Sequence, residues 1–117
     1  MCDQVHVITL RQPSPGYVVL DLCGHIGASF NQAFEHISGG LHNLVAPHVV
    51  LNFSAVRGID DRGLRQLIAF CALMRRLNRK LAAYGVSNEV RRLFEVMHME
   101  NLLRTCESEY QALTLGD

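Results

Sequence analysis

Apolar positions along the chain change period several times, and each change marks an element. Val5-His6-Val7-Ile8-Thr9-Leu10 is β-rich and roughly alternating, which predicts a strand. Pro13-Ser14-Pro15-Gly16 is a turn by composition, because proline fixes φ and glycine admits positive φ. Tyr17–Cys23 is a second apolar run that Gly24 is expected to end, so the first two strands form a hairpin. From Ala28 the period lengthens. Phe30, Phe34, Ile37 and Leu41 form one stripe of a helix, whose end Gly39-Gly40 weakens at ~1 kcal/mol per glycine. After Pro47, the nearly continuous run Val49–Phe53 fits a strand covered on both faces.

Ser54–Gly63 reads as a loop into a second helix, with Asp60 or Asp61 as N-cap. That helix is expected from Arg62 to about Lys80. Leu64, Leu67, Ile68, Cys71 and Met74 share its apolar face, and Arg62, Arg65, Arg76, Arg79 and Lys80 gather on the other side. Arg75 falls near the apolar face. Helix-dipole complementarity accounts for Arg76, Arg79 and Lys80 but not for Arg62 and Arg65, which lie in the first turn where cations are disfavoured. Leu81–Val86 is a further strand. Ser87 or Asn88 caps a helix with Val90, Leu93, Phe94 and Met97 on one face. A brief strand near Leu103–Cys106 and a short helix capped by Ser108 close the chain. The order β-β-α-β-α-β-α-β-α predicts an α/β domain over residues 1–117, a small and mainly parallel sheet with an antiparallel leading edge.

Composition narrows the function. The 117 residues carry 11 Lys+Arg and 11 Asp+Glu, a formal net charge of zero, which gives no bulk attraction to nucleic acid or an anionic membrane. No apolar run reaches the ~18 residues of a membrane span. Met1-Cys2-Asp3-Gln4 lacks the basic-then-apolar layout of a secretion signal, so a cytoplasmic location is expected. The charge is nonetheless segregated: from Arg57 to Arg92 there are nine cations and three carboxylates. Cys2, Cys23, Cys71 and Cys106 are far apart, and unpaired thiols are expected. The six histidines, His6, His25, His36, His42, His48 and His98, form no metal-ligand spacing, so no metal and no cofactor is expected. There is no phosphate-binding glycine loop and no Gly-x-Ser-x-Gly. Asp60 and Asp61, adjacent in sequence, make a poor acid–base pair, and no catalytic residue is assigned.

The order of elements, together with Val49-Val50-Leu51-Asn52-Phe53-Ser54-Ala55-Val56-Arg57-Gly58-Ile59-Asp60-Asp61-Arg62-Gly63-Leu64, resembles the STAS family, whose type members are bacterial anti-sigma factor antagonists. The resemblance covers nearly the whole chain and is sharpest at Ile-Asp-x-x-Gly-Leu. It implies a small mixed sheet with helices packed mainly on one face, and a binding switch rather than an enzyme. In the type members a serine follows the aspartate that matches Asp60, and a partner kinase phosphorylates it. Here Asp61 stands at that serine's position, Asn52 stands where the strand commonly ends in aspartate, and Gly24-His25-Ile26-Gly27 replaces a stretch that often carries acidic residues.

The resemblance therefore implies a protein–protein interaction module, a regulator or scaffold that docks an anti-sigma factor, a kinase-like regulator or a larger signalling complex. Its contact surface would comprise Ser54, Asp60, Asp61, Arg62, Gly63 and Arg65, flanked by a loop with His25 and Gly27. Two alternatives follow from other features. The missing serine is compatible with a soluble subunit of a membrane transport system, of ABC type or an anion transporter. The basic stripe is compatible with a small-anion or nucleotide sensor.

Overall fold

The computed structural model describes residues 8–28, 30–41 and 47–114. Strands β1 (Ile8–Ser14), β2 (Tyr17–Ile26), β3 (His48–Ile59), β4 (Lys80–Tyr84) and β5 (Arg104–Cys106) form one sheet in the order β1-β2-β3-β4-β5. β1 and β2 are antiparallel; every later pair is parallel. Helices α1 (Phe30–Leu41), α2 (Asp61–Arg76), α3 (Asn88–Val96) and α4 (Glu109–Leu113) alternate with the strands, and a single 3-10 turn, Met99–Asn101, precedes β5.

The period-2 rule sorts the sheet's side chains. Val18, Leu20, Leu22, Val49, Leu51, Phe53, Leu81 and Ala83 face α1, α2 and α3, and the large core lies between them. Phe34 meets Phe30 of its own helix and Phe70 across the α1–α2 seam in tilted ring contacts, with centroids 5.6 and 5.1 Å apart. Val19, Val50, Ala82, Tyr84 and Cys106 point the other way, where, among the described residues, α4 alone packs through Ala112. Among the described residues, no helix is long and apolar enough to cross a membrane.

Most predicted elements form, with four informative departures. β1 runs through Pro13, so the turn shrinks to Pro15-Gly16; an edge strand tolerates proline, and the register shifts there between Arg11 and Ser14. β2 continues past Gly24, which takes φ +91°, to Ile26, and β3 continues past Phe53 to Ile59. The stretch Ser54–Ile59, expected as loop, is thus strand, paired with Cys23–Ile26 across two register shifts. The fourth departure is the end of α2. It stops at Arg76 because Asn78 adopts φ +60°, and the Arg79 N–H returns to the Met74 carbonyl at 2.9 Å. Asparagine is one of the few residues that accept this left-handed cap. Arg79 and Lys80 are therefore off the helix, and the expected cationic stripe is broken.

Leu64, Leu67, Cys71 and Met74 are buried as expected, and Ile68 is half-buried against the same core. Arg75 is exposed rather than on the apolar face. The expectation of unpaired cysteines holds for two of them and fails for a third. Cys71 and Cys106 are free and buried, and burial pushes the Cys71 thiol up to about 12. Cys23 is disulfide-bonded. Pairing depends on spatial approach, which wide sequence spacing does not forbid. Cys2, His6, His42 and the start of the first predicted strand, Val5–Val7, lie outside the described residues.

Candidate functional site

The pairing of β3 with β4 ends at Asn52, while its pairing with β2 runs on to Ile59. The last part of β2 and β3 is thus a two-stranded ribbon standing beyond the end of the sheet, and α2 starts from its tip. One residue, Asp60, joins strand to helix. Its backbone N–H donates to the Ile26 carbonyl at 3.1 Å, which ties the tip to β2. Its side-chain Oδ1 accepts from the Gly63 N–H at 2.9 Å, which makes it the N-cap of the two the sequence offered. Its Oδ2 lies 3.2 Å from His25 Nε2. The Gly63 N–H, with His25 as a lesser contributor, holds the Asp60 carboxyl below the usual carboxylate range. His25 and Asp60 keep side-chain exposures of 58% and 48%, so the pair is solvent-screened and marks a surface rather than a buried switch.

Two glycines make this geometry possible. A Cβ on Gly63 would sit 2.0 Å from the Ile26 carbonyl oxygen, so only glycine lets the first turn of α2 lie against β2. A Cβ on Gly27 would sit 2.7 Å from Asp60 Oδ2. Asp61, Arg62 and Arg65 are exposed on the first turns of α2, and Gly63 is buried. Two carboxylates at the positive end of the helix are favourably placed. No ion pair joins Asp61 to Arg65 among the described residues, so both charges face solvent.

The structure corrects two placements. His25 lies on strand β2 rather than in a loop; Gly27 alone follows the strand, in a bend. Ser54 does not join the cluster. It sits on β3, exposed, and five steps of extended chain at ~3.3 Å put it roughly 16 Å from the tip. Its neighbour is Gly85, whose positive φ and missing Cβ leave room for the Ser54 hydroxyl.

Sequence reasoning missed a second polar cluster, on the α4 side of the sheet. Arg11 donates to both oxygens of Asp21, at 2.5 and 2.9 Å, and to Glu109 Oε1 at 2.7 Å. Tyr84 OH donates to the same Glu109 oxygen at 2.6 Å, and Asn52 Nδ2 donates to Asp21 at 2.7 Å. Arg11 holds the Asp21 carboxyl low, and Arg11 with Tyr84 does the same for Glu109. Asn52 Oδ1 accepts from the Ser54 N–H at 2.9 Å, so Asn52 is a network member rather than a lone replacement of an acid. Among the described residues, no three His, Cys, Asp or Glu side chains are disposed to hold a metal ion.

Comparison with known proteins agrees with this architecture. The STAS domain matches residues 9–112. No curated protein matches at a significant level. Among solved structures, the phosphorylated Bacillus cell-fate determinant SpoIIAA superposes with a TM-score of 0.72 at 16% identity, covering 91% of this chain and 96% of its own. An anti-sigma factor antagonist from Mycobacterium paratuberculosis gives 0.73 at 21% identity, over 92% of both chains. A sulfate transporter family protein from Wolinella succinogenes gives 0.77 at 17%, over 88% of this chain and 86% of its own. At these identities the likeness is one of fold.

Proposed function

Because the chain belongs to the STAS domain family, we propose that it is a single non-catalytic interaction domain spanning residues 1–117, working in the cytoplasm, with its partner surface at the tip of the β2–β3 ribbon. The partner is a protein, an anti-sigma factor, a kinase-like regulator or a signalling complex that reads Asp60, Asp61, Arg62 and Arg65, with His25 and Gly27 beside them. One observation carries this reading: Asp61 is exposed at the first position of α2, directly after the capping Asp60. In our reading this position corresponds to the phosphorylatable serine of the anti-sigma factor antagonists that the chain resembles. A carboxylate in its place supplies one charge and two oxygens where a phosphoserine supplies about two charges and three. It has no hydroxyl for a serine kinase, so the surface is held in one state. Ser54 is exposed but roughly 16 Å along the strand, which makes it no substitute.

The test compares binding to the cognate partner with thermal stability for the wild type, Asp61→Ser and Asp61→Ala. Binding is expected to change in both variants while melting changes little in Asp61→Ser, because serine also suits a helix start. Equal binding by all three, with a lower melting temperature for Asp61→Ala, would reduce Asp61 to a helix-terminal charge. The absence of that hydroxyl, with the likeness to the Wolinella sulfate transporter family protein, also favours a second reading, a soluble subunit of a transport system. Recovery of a transporter or its ATPase with the tagged chain would favour it over the first.

A further inference from the structure

We propose that α4 is a strap that undocks from the sheet while the rest of the domain stays folded, uncovering the second face and the thiol of Cys106 beneath it. Helix α4 runs only from Glu109 to Leu113. Isolated helices shorter than ~12 residues are marginal in water, so α4 persists because the sheet holds it. Little apolar surface does the holding. Ala112 is buried and Leu113 half-buried, while Tyr110 is 78% exposed and contributes nothing.

The contrast with α2 sets the scale. Undocking α2 would break open the large core, since Leu64, Leu67, Phe70, Cys71 and Met74 all enter it. Undocking α4 strips the cover from Val50, Ala82, Tyr84 and Cys106 and leaves the large core closed. A local opening costs the contacts it breaks, so a segment with few buried apolar contacts opens well below the free energy of global unfolding.

Glu109 supplies the fastening. Helix α4 lies on β3, β4 and β5, and Glu109, its first residue, accepts at Oε1 from Tyr84 OH on β4 at 2.6 Å and from Arg11 on β1 at 2.7 Å. Among the described residues, these are the side-chain hydrogen bonds that join α4 to the sheet. Its other bonds stay within its own segment and move with it: Ser108 Oγ accepts from the Gln111 N–H, Gln111 Oε1 accepts from the Glu107 N–H, and the Thr114 hydroxyl donates to the Tyr110 carbonyl. On release, Glu109 and the Tyr84 hydroxyl pass to water. Arg11 keeps both its bonds to Asp21, so the docking point stays in place for the strap to return.

Two free thiols report the two kinds of opening. Cys106 is buried on the α4 side, two positions before Ser108, and burial pushes its thiol up. Cys71 is buried in the large core under α2. The chemistry is the same on both faces, so the difference in reactivity measures the difference in opening. Cys106 also borders the cleft along β5, which offers a reagent an entry that does not need α4 to move. Variants of the fastening separate the two routes.

The test is labelling of the full chain with N-ethylmaleimide at neutral pH, located by peptide mass mapping, in buffer and in urea below the unfolding transition. Cys106 is expected to react at least ~10-fold faster than Cys71, with little response to urea, because a local opening exposes little surface; the rate at Cys71 should climb with urea. Glu109→Gln should speed labelling of Cys106 ~5-fold, and Tyr84→Phe, which leaves the strap's own sequence intact, ~3-fold. Val49→Ala, a cavity in the large core, should speed Cys71 at least ~10-fold and leave Cys106 unchanged, because undocking α4 breaks no contact made by Val49. Equal acceleration of both thiols by Val49→Ala, or equal rates with the same urea response, would show that α4 opens only with the whole domain and overturn the strap. An unchanged Cys106 rate in both Glu109→Gln and Tyr84→Phe would assign its labelling to the β5 cleft and overturn it as well. Neither thiol belongs to the ribbon tip, so this outcome is independent of partner docking there.

Discussion

The two faces of the sheet are stabilised by different physics. On one, α1, α2 and α3 bury a continuous apolar layer that contains Leu20, Leu51, Phe53 and Leu67. On the other, a helix of five residues covers a thin strip of small side chains, and Arg11, Asp21, Asn52, Tyr84 and Glu109 form a hydrogen-bonded row beside it. The first face depends on area removed from water and hardly on which apolar residue supplies it. The second depends on individual partners in specific ionisation states. Both hold secondary structure in place, but they should respond differently to substitution and to pH.

The largest expected effect is on the apolar face. Leu67 is 0% exposed, and Leu67→Ala should lower the unfolding free energy by ~2–5 kcal/mol, measured by denaturant titration. The loss should be the same at pH 7 and at pH 4, because no ionisable group contributes to it. A smaller effect is expected opposite. Glu109→Gln weakens the acceptor shared by Arg11 and Tyr84, and a loss of about 1 kcal/mol is expected at pH 7, since these side chains are partly exposed and screened. If Glu109→Gln cost as much as Leu67→Ala, the division between the faces would be wrong.

The smallest effect is the pH response of the wild type. Asp21 and Glu109 both titrate lower in the folded state than their ordinary values of 3.8 and 4.5. Stability from these groups is therefore fully present above those values and is lost as pH falls through the lower, folded-state values. A melting series taken downward from pH 6 should show this loss, and Glu109→Gln should flatten it. A wild-type curve as flat as that of the variant would remove the polar row from the account of stability.

The same division governs what could be read in the sequence. Leu64, Leu67, Cys71 and Met74 recur at helical spacing, and burial follows from periodicity alone. Ser108 was legible as a cap, and Ser87 as one of two candidates, because the residues they cap are three positions away. The polar row was not legible: Arg11 and Glu109 are 98 positions apart, and nothing local in either predicts the other. The ribbon was misread for a related reason. Ser54–Gly58 has no apolar run, and its strand character comes from pairing with β2 alone. At the tip, helix-start chemistry narrowed the cap to Asp60 or Asp61 without choosing between them, whereas the contact of Asp60 with His25 required knowing that β2 and β3 run side by side. Arg79 and Lys80 kept helical spacing in sequence, but a single positive φ at Asn78 took them elsewhere.

Pro13 carries a consequence for how this chain lives beside copies of itself. It stands in β1, the outer strand on one side of the sheet, and it has no N–H to offer. An incoming strand seeking to extend the sheet there would meet a missing donor and an irregular register between Arg11 and Ser14. The opposite border is only the three residues Arg104–Cys106, too short to template a long ladder, and it carries a charge. Both open borders are thus poor seeds for fibril growth, a safeguard against edge-to-edge polymerisation.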